Sequence, residues 1–201
     1  MIDVESWLTA GGIALLAAIV FAETGLLVGF FLPGDSLLFI AGFLASAAGG
    51  HILPPLPVTA FVVFFFAALG DQVGYMFGRK VGPSLFSRPE RRLFNPANAL
   101  RAKVFFERRG PRSIILARFV PIVRTFVPVV AGVGSMHYRT FLTYNLIGAA
   151  LWGVGITTLG YYLGEVDVVK HNLEIAAVVI VTISLIPVAL EVIRSRRAIP
   201  E

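Results

Sequence analysis

The chain contains no cysteine, so neither a disulfide framework nor thiolate chemistry is available to it. Charged residues are also scarce, at 14% of 201 residues, whereas a soluble domain carries roughly 25%. Apolar residues make up 57% of the chain, and the mean hydropathy is +0.83. This balance predicts an integral membrane protein, and we expect a single membrane domain over residues 1–201.

Histidine is rare as well, and the three histidines lie far apart without acidic or nucleophilic partners at motif spacing: His51, His137 and His171. A membrane-bound lipid phosphatase would need a nucleophile with a nearby acid or base. A metal site would need ligands at defined spacing. We therefore expect no enzymatic activity, no metal and no cofactor.

Positive charge is concentrated in one stretch. The net charge is +5, and 10 of the 17 lysines and arginines lie between Arg79 and Arg112. Such a cluster is typical of a cytoplasmic loop that faces anionic lipid, which we expect as a partner. A nucleic-acid groove is a poor fit to a chain of this hydropathy, so we expect no nucleic-acid partner.

Two carboxylates interrupt the first apolar stretch, Glu23 and Asp35. A charged side chain at the bilayer centre costs roughly 2.5–3.5 kcal/mol by insertion scales. Between them, Pro33 and Gly34 form a turn sequence, although a break at membrane depth frees backbone groups that lipid cannot satisfy. The N-terminus lacks a basic region before this stretch, so we expect no cleaved signal peptide.

The first stretch predicts a re-entrant hairpin over residues 8–50. Residues 8–32 are long enough to span a membrane, but 36–48 would form a helix of only about 20 Å at 1.5 Å per residue. That is too short for a hydrocarbon core of about 30 Å. The alternative is a single tilted span followed by a surface helix.

Residues 58–78 predict a transmembrane helix, and four glycines at four-residue spacing form a stripe along its C-terminal half and just beyond it: Gly70, Gly74, Gly78 and Gly82. Such a stripe lets helices pack closely, and we expect it to offer a contact for a homo-oligomer. Asp71 and Tyr75 flank the stripe. Asp71 either bonds to a neighbouring helix or belongs to a transport pathway.

The remaining chain divides into five predicted segments. These are a basic cytoplasmic loop at 79–112 with an amphipathic helix, a broken apolar segment at 113–136, transmembrane helices at 138–163 and 173–193, and a basic tail at 194–201.

Charge placement predicts the topology. The basic loop and the basic tail should both be cytoplasmic. This requires 113–136 to enter and leave on the cytoplasmic side, as a second re-entrant hairpin. The two hairpins then enter from opposite faces, and both carry a Phe-x-Pro sequence before an Ala-Gly pair. Opposed broken segments of this kind indicate an inverted-repeat transporter with its site at the midplane.

The hairpin tips should bring Glu23 and Asp35 toward Arg118 and Arg124. In one interpretation they form static ion pairs that hold the hairpins together. In the other, the arginines bind an anion, because a guanidinium pairs with phosphate oxygens in a bidentate manner. The carboxylates would then exchange protons, since a carboxyl group in a partly dry cavity can titrate near neutral pH.

Several motifs together resemble the DedA family of the SNARE-associated Golgi protein (VTT-domain) superfamily, over roughly residues 10–165. They are Phe21-x-Glu23, Leu32-Pro33-Gly34-Asp35 with Ala41-Gly42, Gly70-Asp71-x-x-Gly74-Tyr75-x-x-Gly78-Arg79, Arg118-Phe119-x-Pro121-x-x-Arg124-Thr125-x-x-Pro128-x-x-Ala131-Gly132, and then Met136, Phe141, Asn145, Gly148 and Trp152.

The resemblance implies a multi-pass bacterial inner-membrane protein that returns a polyprenyl phosphate carrier lipid to the cytoplasmic leaflet. It assigns proton coupling to Glu23 and Asp35 and phosphate binding to Arg118 and Arg124. Asp35 stands where many relatives carry Glu. The supporting positions that we infer are Pro33, Gly34, Asp71, Tyr75, Pro121, Thr125 and Asn145.

We therefore expect an all-α inverted repeat with two opposed re-entrant hairpins and about three full transmembrane helices. The expected function is proton-coupled flipping of undecaprenyl or decaprenyl phosphate, with the lipid tail beside the phenylalanines of the 58–78 helix. The alternatives are a phospholipid scramblase, a proton-dependent small-solute transporter and a non-transporting membrane scaffold.

Overall fold

The computed structural model describes residues 4–25, 34–85, 104 and 110–166, and for residues 4–7, 82–85, 121 and 122 it describes the backbone alone. Within these ranges the regular structure is entirely helical. The helices are α1 (Val4–Gly25), α2 (Gly34–Leu44), α3 (Leu56–Leu85), α4 (Arg112–Ala117), α5 (Pro121–Val133), α6 (Tyr138–Ala149) and α7 (Gly155–Leu163). A π turn, Ala150–Val154, joins α6 to α7.

Three of the described helical stretches are long and apolar enough to cross a membrane: Leu8–Gly25, Leu56–Val81 and Tyr138–Leu163. The last two coincide with the spans predicted at 58–78 and 138–163. The first is the leading arm of the predicted hairpin. The predicted span at 173–193, the tail at 194–201 and most of the amphipathic helix lie outside the described residues.

Two boundaries differ from the sequence prediction. Helix α3 continues to Leu85, so the stretch beginning at Arg79 is still helical where a loop was expected. A charged side chain at the end of a span is tolerated because its long aliphatic stem lets the charge reach the membrane surface. The 113–136 segment breaks at residues 118–120, and Pro128 is accommodated inside α5.

Helix α2 is enclosed by the rest of the chain. Every residue from Leu37 to Leu44 is buried, so no face is left to lie on a membrane surface. The alternative of a surface helix after the first span is therefore wrong. The re-entrant path itself remains a prediction, because residues 26–33, including Pro33, lie outside the described residues.

The two short helices pack against spanning helices from the other half of the chain, α2 against α7 and α5 against α3. Both contacts are made at an Ala-Gly pair. A Cβ on Gly42 would overlap the carbonyl oxygen of Thr157, and one on Gly132 would overlap that of Tyr75. Glycine is needed at both positions because the helix backbones touch.

The glycine stripe of α3 faces the interior of the same chain. Gly70 lies against the backbone of Gly25 in α1, and Gly78 lies against the backbone of Val129 in α5. Gly74 sits between them and is also buried. These three glycines are therefore engaged in contacts within one chain, and the predicted homo-oligomer stays a prediction. For Gly82 only the backbone is described.

The close packing of α2 on α7 and of α5 on α3 predicts that alanine destabilises the protein at Gly42 and Gly132 but not at Gly155. Gly42→Ala and Gly132→Ala are each expected to destabilise the protein by about 1–3 kcal/mol, because the added methyl group forces helix backbones apart. Gly155→Ala is the matched control, since a Cβ there meets nothing within 4 Å. Thermal unfolding in detergent checks this, and equal midpoints for all three variants would contradict the close contacts.

Candidate functional site

Arg124 is the meeting point of three helices. From α5, its Nη2 donates to Glu23 of α1. Its Nη1 donates to Asp35 Oδ1 of α2, with 2.7 Å between the atoms. Glu23 is fully buried and Arg124 is 7% exposed. One guanidinium thus compensates both carboxyl groups of the first stretch.

Two local features allow this meeting. Pro121 occupies the first turn of α5, where its missing N–H is no loss, and Arg124 follows within the same turn. Gly34 begins α2, and a Cβ there would overlap the carboxylate of Glu23. The predicted turn role of Gly34 stays a prediction, because residues 26–33 lie outside the described residues. In the structure, the missing side chain of Gly34 leaves space for the Glu23 carboxylate.

Arg118, which directly follows α4, has a different set of partners. Its Nη1 donates to Asp71 of α3 and to Asn145 Oδ1 of α6, the latter at 2.8 Å. Asn145 Nδ2 in turn donates to the carbonyl of Ala68 at 3.1 Å. Asp71 is therefore bonded to a neighbouring segment, which is one of the two interpretations considered for it.

The expectation that both arginines would share Glu23 and Asp35 is wrong in this detail. The described ion pairs of these two acids are both with Arg124. Arg118 is the first residue of the break before α5 and Arg124 lies in α5 beyond it, so their side chains can reach different helices. The small residue Gly148 makes room for Arg118, whose Cδ would be 3.2 Å from a Cβ at that position.

Trp152 connects the two ion-pair clusters, and its importance for the site was missed. Its Nε1 donates to Asp35 Oδ1 at 2.6 Å. Its ring centroid is 4.7 Å from Arg124 Cζ and 5.4 Å from Arg118 Cζ. One feature of the sequence could have indicated this role: Trp152 lies seven residues after Asn145, about two helical turns, so both residues lie on one face of a helix.

The buried cluster retains unused hydrogen-bonding capacity. Within the described part of the chain, the buried side-chain atoms without a hydrogen-bond partner are Glu23 Oε2, both amide atoms of Gln72, Arg118 Nε and Nη2, and Arg124 Nε. Such atoms are few in native proteins and call for an explanation. In Arg118 they form one complete edge of the guanidinium, which matches two phosphate oxygens.

Both arginines line one small crevice. Its walls are formed by Thr24, Asp71, Ile114, Arg118, Arg124, Val127 and Pro128. Two guanidiniums facing one crevice can bind an anion together, because each adds a charged donor. Besides the arginines, the lining combines apolar side chains of α4 and α5 with Thr24 of α1 and Asp71 of α3.

The other predicted supporting residues have more local roles. Tyr75 donates to the carbonyl of Met136 at 2.5 Å, accepts from Arg79 Nη1 at 3.0 Å and stacks on Phe141. It thereby ties α3 to the turn before α6. Thr125 is buried on α5, and the side chain of Pro121 lies outside the description.

The described helices include three that are long and apolar enough to cross a membrane, and they enclose a cluster of acids and arginines. These features are those of a multi-pass integral membrane protein. Residues 32–162 match the VTT domain family. Protein DedA of Escherichia coli K12 is 46% identical over 185 residues, which are 92% of this chain and 84% of that protein.

Two further relatives extend the comparison. The uncharacterized membrane protein Rv0364 of Mycobacterium tuberculosis H37Rv is 44% identical over 214 residues, covering 100% of this chain and 91% of that protein. The inner membrane protein YqjA of Escherichia coli K12 is 35% identical over 155 residues, which are 77% of this chain and 68% of that protein. No solved structure matches. The chain belongs to the DedA family of VTT-domain membrane proteins.

Proposed function

We propose that this protein moves a polyprenyl phosphate carrier lipid, undecaprenyl or decaprenyl phosphate, across the bacterial inner membrane. The observation that carries the proposal is the free Nε–Nη2 edge of Arg118 beside Arg124 in one crevice. A buried guanidinium edge without a partner favours a doubly bonded anionic ligand. The relative YqjA is named an inner membrane protein, which supports the location.

The lipid tail would remain in the bilayer while the headgroup enters the crevice. Phe61 and Phe65 of α3 are 63% and 47% exposed on the outside of the bundle. Large apolar side chains at such positions suit contact with acyl or prenyl chains, because neither partner is then exposed to water. The headgroup thus needs protein contacts and the tail needs only a lipid-facing surface.

The charge count of the described cluster supports proton coupling. Three carboxyl groups, those of Glu23, Asp35 and Asp71, face two guanidiniums. A buried charge without compensation is costly, so one proton on the acids balances the site. A proton on Glu23 or Asp35 weakens its pairing with Arg124 and leaves that arginine available to phosphate.

The proposal includes two opposed re-entrant hairpins, with the basic loop 79–112 and the tail 194–201 on the cytoplasmic side. The short apolar helices α2 and Val123–Val133 support it. Each of them packs on a spanning helix from the other half of the chain, α2 on α7 and α5 on α3, which supports an inverted repeat. In such transporters, the site lies near the midplane, where the repeats meet.

Reconstitution into proteoliposomes tests the function. The purified protein is expected to move polyprenyl phosphate between leaflets and to leave the matching polyprenol and phosphatidylethanolamine in place. Equal movement of phosphatidylethanolamine would favour a phospholipid scramblase. No movement of any lipid, with proton flux evoked by a small solute, would favour a solute transporter, and neither activity would favour a scaffold.

Neutralising the acids is expected to remove the pH dependence. In the wild-type protein, lower pH should strengthen phosphate binding, because a proton on Glu23 or Asp35 releases Arg124. Glu23→Gln and Asp35→Asn imitate the protonated acids, so each should bind phosphate lipid with less dependence on pH. Binding and transport measured from pH 5 to 8 check the direction.

The matched control is Glu165→Gln, which removes one negative charge from an exposed position near the end of α7. It should keep the wild-type pH profile. An unchanged pH profile in both Glu23→Gln and Asp35→Asn would refute the proton coupling and leave passive movement.

A further inference from the structure

Trp152 occupies the only described interruption of the long helix from Tyr138 to Leu163. It lies in the π turn Ala150–Val154, a feature that is rare in helices and frequent at functional sites. The side chain is 1% exposed and is among the largest fully buried ones. A burial this complete gives the indole ring one defined orientation.

The packing around the π turn explains why the ring is held firmly. Next to Trp152, Gly153 lies against α3, and a Cβ there would be 3.0 Å from Val63 Cγ1 and 3.8 Å from the backbone nitrogen of Phe64. The π turn is therefore pressed onto the spanning helix of the other half. Its position fixes the indole relative to α3 and α5.

The indole of Trp152 and the guanidinium of Arg124 share one oxygen of Asp35. Asp35 Oδ1 accepts from Trp152 Nε1 at 2.6 Å and from Arg124 Nη1 at 2.7 Å. The indole N–H is a donor only, and so is the guanidinium. Both donors therefore hold Asp35 through the same oxygen, Oδ1.

The indole ring also lies close to the guanidiniums of both arginines. A guanidinium within about 6 Å of an indole centroid is attracted by the ring, and both Arg118 and Arg124 meet this distance. The two arginines otherwise have separate partners, Asp71 with Asn145 for one and Glu23 with Asp35 for the other. Among these contacts, Trp152 is the one residue common to both clusters.

We infer that Trp152 is a positioning residue of the phosphate site. The indole N–H shares Asp35 Oδ1 with Arg124 and so reduces the competition of that acid for the arginine. The indole ring aligns both guanidiniums, so that their free N–H groups meet a single phosphate. This role rests on the proposed function and goes beyond it, because it assigns the cooperation of the two clusters to one side chain.

The sequence offers a direct spectroscopic test. The chain has two tryptophans, Trp7 and Trp152, so Trp7→Phe leaves Trp152 as the single indole fluorophore. Farnesyl phosphate, a short prenyl phosphate, is the probe, and farnesol is its uncharged counterpart. Titration in detergent should change the emission of Trp152 saturably with farnesyl phosphate and leave it unchanged with farnesol.

Two substitutions separate the contributions of the indole. Trp152→Phe keeps an aromatic ring and loses the N–H, and it is expected to weaken farnesyl phosphate binding about tenfold by calorimetry. Trp152→Leu loses both features and should bind still more weakly. Phe141→Leu is the control for a buried aromatic, since Phe141 stacks on Tyr75 and contacts neither arginine in the described interactions. It should lower thermal stability and keep the affinity.

A double-mutant cycle distinguishes positioning from general packing. If Trp152 acts through Asp35, Trp152→Phe should weaken binding in the wild-type background and have little further effect in an Asp35→Ala background. A purely structural tryptophan would give the same loss in both backgrounds, which would overturn the inference.

The two proposals fail in different ways. If the wild-type protein binds farnesyl phosphate and both Trp152 variants bind it equally well, the positioning role is wrong and the proposed function stands. If the wild-type protein does not discriminate farnesyl phosphate from farnesol, the lipid-phosphate function is wrong.

Discussion

Arg124→Ala is expected to abolish movement of polyprenyl phosphate in proteoliposomes and to destabilise the fold by about 3–5 kcal/mol. The stability loss follows because Glu23 and Asp35 would both lose their described ion-pair partner. The transport loss follows because the crevice would keep one guanidinium instead of two. Transport and thermal unfolding are measured on the same preparation.

A neutral triple variant separates these two effects. Glu23→Gln, Asp35→Asn and Arg124→Gln together remove every charge from this cluster and keep side chains of similar size. Replacing a buried ion network by neutral groups is often close to neutral for stability. The triple variant should therefore recover most of the unfolding midpoint and remain inactive.

Arg124→Lys adds a geometric test. Lysine keeps the charge but presents it as a point, without the planar fork that now serves Glu23 and Asp35 together. We expect a folded protein with strongly reduced transport. Normal transport by the triple variant would reduce Arg124 to a structural ion pair, the static interpretation of the cluster.

The sequence was informative about which charged residues come together inside the bundle. Glu23, Asp35, Arg118 and Arg124 interrupt apolar segments, and the energetic cost of such residues is large enough to single them out without a structure. The spans around 58–78 and 138–163 were equally accessible, because length and hydropathy determine which helices can cross a bilayer.

The individual pairings were not accessible from the sequence. Three acids and two arginines at similar depth allow several sets of ion pairs, and the choice depends on how each helix is rotated. Helix α3 turns Asp71 toward Arg118, which leaves both other acids to Arg124. A periodic pattern identifies one face of a helix but does not identify the helix that covers it.

The glycine stripe illustrates the same limit. Small residues at four-residue spacing predicted a close helix contact, and Gly70 and Gly78 do make such contacts. The partner was assigned to a second copy of the chain, whereas α1 and α5 of the same chain occupy the stripe. Trp152 was noted as a motif position but was not predicted as a site residue. A tryptophan in a span is ordinarily a packing residue, and the polar role of Trp152 depends on neighbours from α2 and α5.

The second large effect concerns Arg118 and its partner. Arg118→Gln with Asp71→Asn replaces the buried ion pair by two neutral amides of similar shape. Its stability should remain close to that of the wild type, because both charges are removed together. Phosphate binding should weaken by about 1.5–3 kcal/mol, or roughly 10–150-fold, because a charged bidentate donor is lost. Calorimetry with farnesyl phosphate measures the change.

The single Asp71→Asn variant should change the two properties in opposite directions. It leaves Arg118 charged and removes the acid that competes with phosphate for that charge, so binding should strengthen while stability falls. A scaffold that uses Arg118 and Asp71 only to hold α3 in place predicts a different result, in which anion binding follows stability in every variant. Stronger phosphate binding in a less stable Asp71→Asn protein would therefore separate an anion site from a static ion pair.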